Sequence, residues 1–431
     1  MNAKKTYLKV IVMIFLILVF LIPIALIQNL VHERTSFQQE AIQEVSSKWG
    51  NAQTISGPIV SIPYYDFYQD SAKTTRKIVR YAHFLADSLQ INGEVFPEMR
   101  YRGIYEIVVY NSTIHISGTF SQMNINNIKV LKENLLLQDA YLSLGISDLR
   151  GIEEQVNLKW NDKPYGFNSG VESSDVIESG ISTRIPLSID SIGTTKRFDL
   201  TLVLKGSQTL NFVPVGKITQ VHVSSKWSTP SFTGAFLPDK RDVKASGFAA
   251  DWKVLHLNRN FPQSWSKNSY NISESAFGVD LLLPVDNYQK TDRAVKYSFM
   301  LIALTFLLLF FIELINGVNV HPFQYTLIGL ALIIFYSLVL SISEYLSFNM
   351  SYIISAVATI SLITYYARGV LQNQRFYLLI MSTLIILYGF VFTILQLEDY
   401  ALLMGSVGLF VILTVVMYYS KKIDWYNIKM Q

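Results

Sequence analysis

The sequence predicts a membrane protein built from one N-terminal transmembrane anchor, a large mainly-β (α+β) extracytoplasmic domain and a C-terminal five-helix transmembrane bundle, six spans in total. Three observations carry this reading. Asp, Glu, Lys and Arg make up only 16% of the 431 residues while apolar residues make up 50%, against a usual charged share of about 25%. The deficit is uneven: residues 297–431 hold five acids and five bases, a density of about 7%, against about 20% in the residues before them. A water-facing surface, which is about 25–35% charged, cannot be built from the lower figure. Apolar runs of the ~20 residues that a helix needs to cross a hydrocarbon core of ~30 Å occur only toward the two ends of the chain. The net charge of +4 and the lack of a long basic run argue against nucleic-acid binding. The absence of Cys excludes disulfides, thiolate metal sites and a cysteine nucleophile.

Residues 1–9, with Lys4, Lys5 and Lys9, read as a cytoplasmic N-terminus, and residues 10–27 as an anchor. A signal peptide begins the same way, but its apolar core is usually ~7–15 residues and ends at a small-residue cleavage site; this run is longer and lacks that exit, so an uncleaved anchor is expected. Pro23 would at most kink it. Residues 28–50 form an amphipathic stalk helix: Val31, Phe37, Ala41, Ile42, Val45 and Trp49 recur near a helical period, and Gly50 supplies a stop. Residues 51–294 change to short β-branched and aromatic runs broken by Gly, Pro, Asn and Asp, the mark of strands. About a dozen are expected, from Thr54–Ile62 to Phe277–Leu283, with Gly103–Tyr110 and Thr113–Thr119 as separate strands. They suit sandwiches or barrels. The less regular stretch 157–181 is a long loop or part of a subdomain boundary near 150–182. Residues 295–420 hold five spans, near Tyr297–Ile315, Phe323–Ile342, Phe348–Ala367, Phe376–Gln396 and Ala401–Tyr419, and residues 421–431 form a cytoplasmic tail. Six spans place both termini on one side. Lys4, Lys5, Lys9, Arg368, Arg375, Lys421, Lys422 and Lys429 fall in the segments of that side, whereas Glu344, Glu398 and Asp399 fall in the opposite short loops, so the positive-inside rule puts the termini in the cytoplasm. Arg34, Arg293 and Lys296 run against the trend.

No close His pair, Gly-x-Ser-x-Gly elbow, P-loop or dinucleotide fingerprint occurs, so neither catalysis, cofactor nor metal is inferred. His222 and His256 lie in strand-like runs and read as structural. The candidate functional polar residues of the membrane part are Glu313, His321 and Glu344, since an ionisable group within a bundle points to ion or proton passage. All lie near expected interfaces, where a solvated carboxylate is the plainer explanation. Ser341, Ser343, Ser351 and Ser355 suit interhelix hydrogen bonds. Tyr325, Tyr336, Tyr345, Tyr352, Tyr365, Tyr366, Tyr418 and Tyr419 suit an aromatic belt at the span ends. In the external part, Asp148 and Arg150 form either a contact for an anionic ligand or a turn held by an ion pair, with Gly151 beside them.

Several strings follow one another in a distinctive order. Glu33-Arg34 is followed by Trp49 and Gln53, then by Gly57-Pro58 through Pro63-Tyr64, Arg102-Gly-Ile-Tyr-Glu106, Ser147-Asp-Leu-Arg-Gly151, Pro230-Ser-Phe-Thr-Gly-Ala-Phe-Leu-Pro238 and Gly247-Phe-Ala-Ala-Asp-Trp252. Val295-Lys-Tyr297, Leu304-Thr-Phe306, Glu313, His321-Pro322, Gln324-Tyr325 and Leu340-Ser-Ile-Ser-Glu344 continue the series through the membrane part. With the order of segments, these strings resemble the CreD family of bacterial inner-membrane proteins. The resemblance implies a role in cell-envelope integrity, under a two-component system of the CreBC type, with altered tolerance of colicins and β-lactams, and no catalytic mechanism. The expected partners are the lipid bilayer and an envelope protein or cell-wall component; oligomer formation stays open. The alternative is a transporter or proton-coupled channel using Glu313, His321 and Glu344.

Overall fold

The computed structural model describes residues 3–69, 75–121, 123, 125–128, 130–267, 270–283, 287–316, 320–371, 373–397 and 400–421. Glu398, Asp399, Lys422, Asp424 and Lys429, and with them most of the 421–431 tail, lie outside the described residues. The chain divides into two compact units, Gln39–Pro284 and the joint set Met1–Gln38 with Val285–Gln431. Helix α1 (Ala3–Trp49) is unbroken from the expected anchor into the expected stalk, with Pro23 inside it, and gives its first part to one unit and its last turns to the other.

The Gln39–Pro284 unit is a two-sheet β structure. In chain order its strands are β1 (Gln53–Gln69), β2 (Thr75–Leu85), β3 (Ser88–Arg102), β4 (Tyr105–Phe120), β5 (Tyr141–Ile146), β6 (Asn157–Trp160), β7 (Lys163–Gly166), β8 (Asn168–Ser169), β9 (Gly180–Arg184), β10 (Lys196–Ser207), β11 (Thr209–Val213), β12 (Ile218–Ser225), β13 (Pro230–Gly234), β14 (Lys240–Lys244), β15 (Gly247–Leu255), β16 (Ser264–Ser266) and β17 (Phe277–Leu281). A single helical turn, α2 (Ile189–Ile192), precedes β10. One sheet runs β13-β17-β11-β1-β5-β9-β8, with β2 paired to β1 and β16 to β2; the other runs β14-β15-β12-β3-β4-β10-β6-β7. The pairs β1/β11 and β3/β12 are parallel. Strands of both sheets alternate buried and open residues. On β10 the buried set is Phe198, Leu200, Leu202 and Leu204, each at 2% exposure or less, which is the period-2 pattern of a sheet with one dry face. The two dry faces join in one apolar cluster that includes Ile62, Phe84 and Leu142 of the first sheet and Ile91, Ile116 and Trp252 of the second. Sandwich packing, rather than a closed barrel, follows from the two separate strand orders.

Three expectations need correction. Gly103–Tyr110 and Thr113–Thr119 are one strand, β4, because the polar Asn111-Ser112 between them stays in register with β10 and Ser112 donates to the Leu204 carbonyl at 2.8 Å. No subdomain boundary exists near 150–182, since strands from before and after it alternate within both sheets. Its first part is instead the β6/β7 hairpin, which lengthens the second sheet, while β8 ends the first. The exposed strand β14, with all five residues open to solvent, has no apolar period by which the sequence could announce it.

In the other unit the helices are α3 (Asn287–Lys296), α4 (Ser298–Asn316), α5 (Pro322–Ser343), α6 (Phe348–Leu371), α7 (Gln374–Gln396) and α8 (Ala401–Ser420). Among the described residues five helices are long and apolar enough to cross a membrane: Leu8–Trp49, Asn287–Leu314, Pro322–Ser343, Phe348–Leu371 and Gln374–Gln396. Leu403–Tyr418 is a shorter apolar helix. The anchor does not stand apart from the C-terminal helices. Phe20, Ile24 and Ile27, spaced four and three apart on one stripe, join residues of α4 to α7 in one apolar cluster. The Phe20 and Phe306 rings meet edge to face at 6.0 Å, and Gly329 of α5 approaches the Phe20 ring so closely that a Cβ would overlap it. Close approach through a small residue is the usual means of helix association in lipid, where burial of apolar surface gives no driving force. By contrast α8 places none of its described side chains in that cluster; its Gly408 lies against the Phe390 ring of α7.

The aromatic belt also needs correction. Tyr325, Tyr336 and Tyr352 are buried in the helix cluster, as is Tyr388, and the Phe335 ring lies 4.8 Å from Tyr336, 5.2 Å from Tyr352 and 4.6 Å from Tyr388. The serines behave differently from expectation as well. Ser343 and Ser351 donate to their own helices, at the Leu340 and Ser347 carbonyls, the local back-bonding that short hydroxyl side chains favour.

Candidate functional site

Glu313 is set by the last turns of α4. Its carboxylate is 1% exposed and accepts hydrogen bonds from the ammonium of Lys9, from the Tyr325 hydroxyl at 3.2 Å and from the backbone N–H of Val320 at 3.3 Å. Lys9 lies on α1 just before the expected anchor, and Val320 and Tyr325 at the entry of α5. A cavity of about 20 Å³ adjoins the group, lined by Lys9, Glu313, Tyr325 and apolar side chains that include Met13 and Phe310. That volume accommodates one water molecule. A carboxylate among apolar helices is tolerable only with such partners, because desolvation of an unpaired charge costs several kcal/mol.

His321 does a different task. Its Nδ1 accepts from the Phe323 N–H at 3.2 Å while Gln324 Oε1 accepts from the His321 N–H at 2.9 Å, so the pair caps the start of α5, with Pro322 at the first helical position. Glu344 stands at the far end of α5, which at 1.5 Å per residue is ~33 Å away. Its carboxylate pairs with Arg34 of α1 at 3.3 Å, and nearby Asn287 donates to the Ser343 carbonyl at 3.0 Å. The structure therefore brings His321 near Glu313 but keeps Glu344 at the opposite end. One helix, α1, supplies the cation at both ends. Lys9 and Arg34 are ~37 Å apart along it, a span that matches the ~30 Å hydrocarbon core plus interface. The sequence reading counted Lys9 and Arg34 for orientation and missed them as partners, although their separation, set against that of Glu313 and Glu344, held the clue.

In the β unit Asp148 caps a 3-10 turn, Leu149–Gly151. Its carboxylate accepts from Arg150 Nε at 2.9 Å and Nη2 at 2.8 Å, from the Arg150 N–H at 3.1 Å and from the Asn51 N–H at 3.0 Å. The Arg150 guanidinium, with those backbone donors, holds the carboxyl below the usual carboxylate range against the opposing effect of burial. Arg150 Nη1 also donates to the Ser47 carbonyl at 2.5 Å, tying the turn to the last helical residues of α1. Gln53 completes the hub: its amide donates to the Asp148 and Lys205 carbonyls, each at 2.9 Å, and its Oε1 accepts from the Asp148 N–H at 3.2 Å. Gly151 packs so tightly on Lys205 O and the Gln53 amide that a side chain would overlap them. Every Asp148 oxygen is thus engaged within the fold, and the pair holds the turn.

This architecture, an anchor helix docked on a C-terminal helix cluster with a two-sheet β unit between them in sequence, can be compared with known proteins. The family model for inner membrane protein CreD matches residues 5–426. The chain belongs to the CreD family. It is 31% identical over 416 residues to the inner membrane protein CreD of Escherichia coli (strain K12), covering 95% of this chain and 91% of that one. It is accordingly a multi-pass inner-membrane protein of the CreD family.

Other clusters complete the chemistry of the β unit. His83 of β2 is 3% exposed, with Nδ1 2.9 Å from Ser61 Oγ and Nε2 3.7 Å from Asp175 Oδ2, and its ring stacks near Trp265 at 5.4 Å. Burial pushes its imidazole down to about 4, against the opposing pull of Asp175. Ser61 is itself 2% exposed. Arg259 is also buried and donates to the Phe261 carbonyl at 2.8 Å; burial lowers its guanidinium to about 10. Among the described residues no group of three or more His, Asp or Glu is placed to hold a metal ion.

Proposed function

We propose that this protein supports cell-envelope integrity without catalysing a reaction: it crosses the inner membrane six times, keeps both termini in the cytoplasm and presents the β unit outside, where that unit binds an envelope component or protein partner. The observation that carries the reading is the family match over nearly the whole chain together with a β unit that lies, in sequence, between an apolar anchor and the C-terminal helices. Placement of Arg368 and Arg375 around the α6–α7 connection, opposite to Glu344 after α5, supports the orientation by the positive-inside rule. Leu403–Tyr418 serves as the sixth span in this reading. Ion passage through Glu313, His321 and Glu344 receives less support, since Glu313 is closed by Lys9 and Tyr325 and Glu344 lies a full helix length away.

Deletion of the gene should raise sensitivity to detergent and to wall-active antibiotics, and unchanged sensitivity across such a panel would overturn the proposal. Reporter fusions after Lys205 and Lys422 should read outside and inside, respectively. The double variant Glu313→Gln with His321→Ala, where it keeps the unfolding temperature of the parent, should restore the deletion strain; failure to restore it at full expression and unchanged unfolding temperature would favour the transport reading.

A further inference from the structure

The open face of the second sheet carries an ordered field of polar side chains. Register places Lys240, Asp251, His222 and Asn92 in one row across β14, β15, β12 and β3, and Lys253, Gln220 and Gln90 in the next. A groove of about 810 Å³ lies over these rows, within the ~300–1,000 Å³ typical of small-molecule sites. Its groups are held in place. His222 Nδ1 and Asp251 Oδ1 are 2.7 Å apart, Gln90 donates to the Gln220 amide oxygen at 3.5 Å, and Asp239, on the groove wall, accepts from the Lys253 N–H at 2.8 Å.

The chemistry of the lining selects the ligand. Two carboxylates, Asp239 and Asp251, and two ammonium groups, Lys240 and Lys253, cancel, so an anion meets acids and a cation meets amines. An apolar ligand would strip water from amides and charges without replacing its hydrogen bonds. Planar amides, a carboxylate and an imidazole offer donors and acceptors side by side, the arrangement that matches adjacent hydroxyls on a sugar ring. His222 Nδ1 is engaged with Asp251, which leaves Nε2 as the ring's second polar atom.

We infer that this groove binds a neutral oligosaccharide through Gln90, Asn92, Gln220, His222 and Asp251. The inference rests on the envelope reading, for which it names the ligand class. The test is calorimetric titration of the full chain in lipid nanodiscs, free of sugar-headed detergent, with chitotetraose, maltotetraose and the anionic tetragalacturonate. At least one neutral tetrasaccharide should bind, and Asn92→Ala and Gln220→Ala should each weaken it roughly tenfold without lowering the unfolding temperature. His115→Ala, next in the same row on β4 but outside the groove, should leave binding unchanged. No heat with either neutral sugar up to about 10 mM, tighter binding of tetragalacturonate, or equal binding by both groove variants would overturn it. Loss of binding alone, with the deletion strain still sensitive to detergent, refutes the groove and spares the envelope reading; binding with an insensitive deletion strain does the reverse.

Discussion

The helix unit and the β unit both fasten α1 by a carboxylate–cation pair, and they do so in different surroundings. Glu313 and Lys9 meet among apolar helices, with the carboxylate 1% exposed. Asp148 and Arg150 meet at a turn whose guanidinium is 56% exposed. In the β unit the apolar core, driven from water, already holds the sheets together, so the polar hub mainly fixes one turn and the last residues of the helix. Among lipid-facing helices that drive is missing, and packing and polar contacts decide where a helix docks. The same chemical pair is therefore a local detail in one unit and a docking element in the other.

The largest effect should come from breaking the pair at Glu313. Lys9→Met leaves a buried carboxylate with only Tyr325 and a backbone N–H, and removing one partner of a buried pair costs about 3–5 kcal/mol. Lys9→Met combined with Glu313→Leu removes both charges and should recover most of that loss in unfolding of the purified protein. If the single and double variants lose the same stability, the pair is not what docks the anchor.

Next comes His83, which sharpens the contrast by tying the β unit to pH. Its folded value, about 4, lies below the ordinary 6.5, so between these limits the unfolded chain binds more protons than the folded one. Stability should then rise with pH from about 4 to 6.5, by about 3 kcal/mol in all, and be fully present above 6.5. Chemical unfolding at a series of pH values should show this slope, and His83→Gln should flatten it. Asp148 should matter somewhat less: Asp148→Ala strips acceptors from the Asn51 and Arg150 N–H groups and should cost about 2 kcal/mol. Because the folded carboxyl titrates below its unfolded value, its contribution is present above about pH 4 and lost as pH falls below it. Asp148→Asn should lose that acid sensitivity as well as stability at neutral pH.

The long apolar helices of the membrane part were legible in the sequence because each is a continuous apolar run, and β10 because Phe198, Leu200, Leu202 and Leu204 alternate; the polar α3 (Asn287–Lys296) fell mostly within the stretch read as β-rich. The stalk's continuity with the anchor was legible as well, because its apolar stripe from Val31 to Trp49 keeps a helical period directly after the apolar run. Strands β14 and β16 were not, being too polar or too short to signal a strand. Asp148 and Arg150 were readable as a pair because they are neighbours in sequence. Lys9 and Glu313 are 304 residues apart, and pairing at that distance is created by tertiary packing alone. The groove row on the second sheet was hidden for the same reason: His222, Asn92 and Asp251 become neighbours only through register.

The smallest expected effect is at the other end of the anchor, and it bears directly on the docking argument. Arg34 is 38% exposed and Glu344 14%, so water screens the pair and Arg34→Ala should cost no more than ~1 kcal/mol. If the anchor is positioned mainly at Lys9, Arg34→Ala should leave helix docking intact where Lys9→Met disturbs it. The absence of Cys allows a clean readout: the double variant Phe20→Cys with Gly329→Cys, where Phe20 of α1 packs on Gly329 of α5, should cross-link under oxidation. Efficient cross-linking should persist when Arg34→Ala is added and fall when Lys9→Met is added. The opposite order would move the docking element from the buried pair to the exposed one, against the difference in dielectric that separates them.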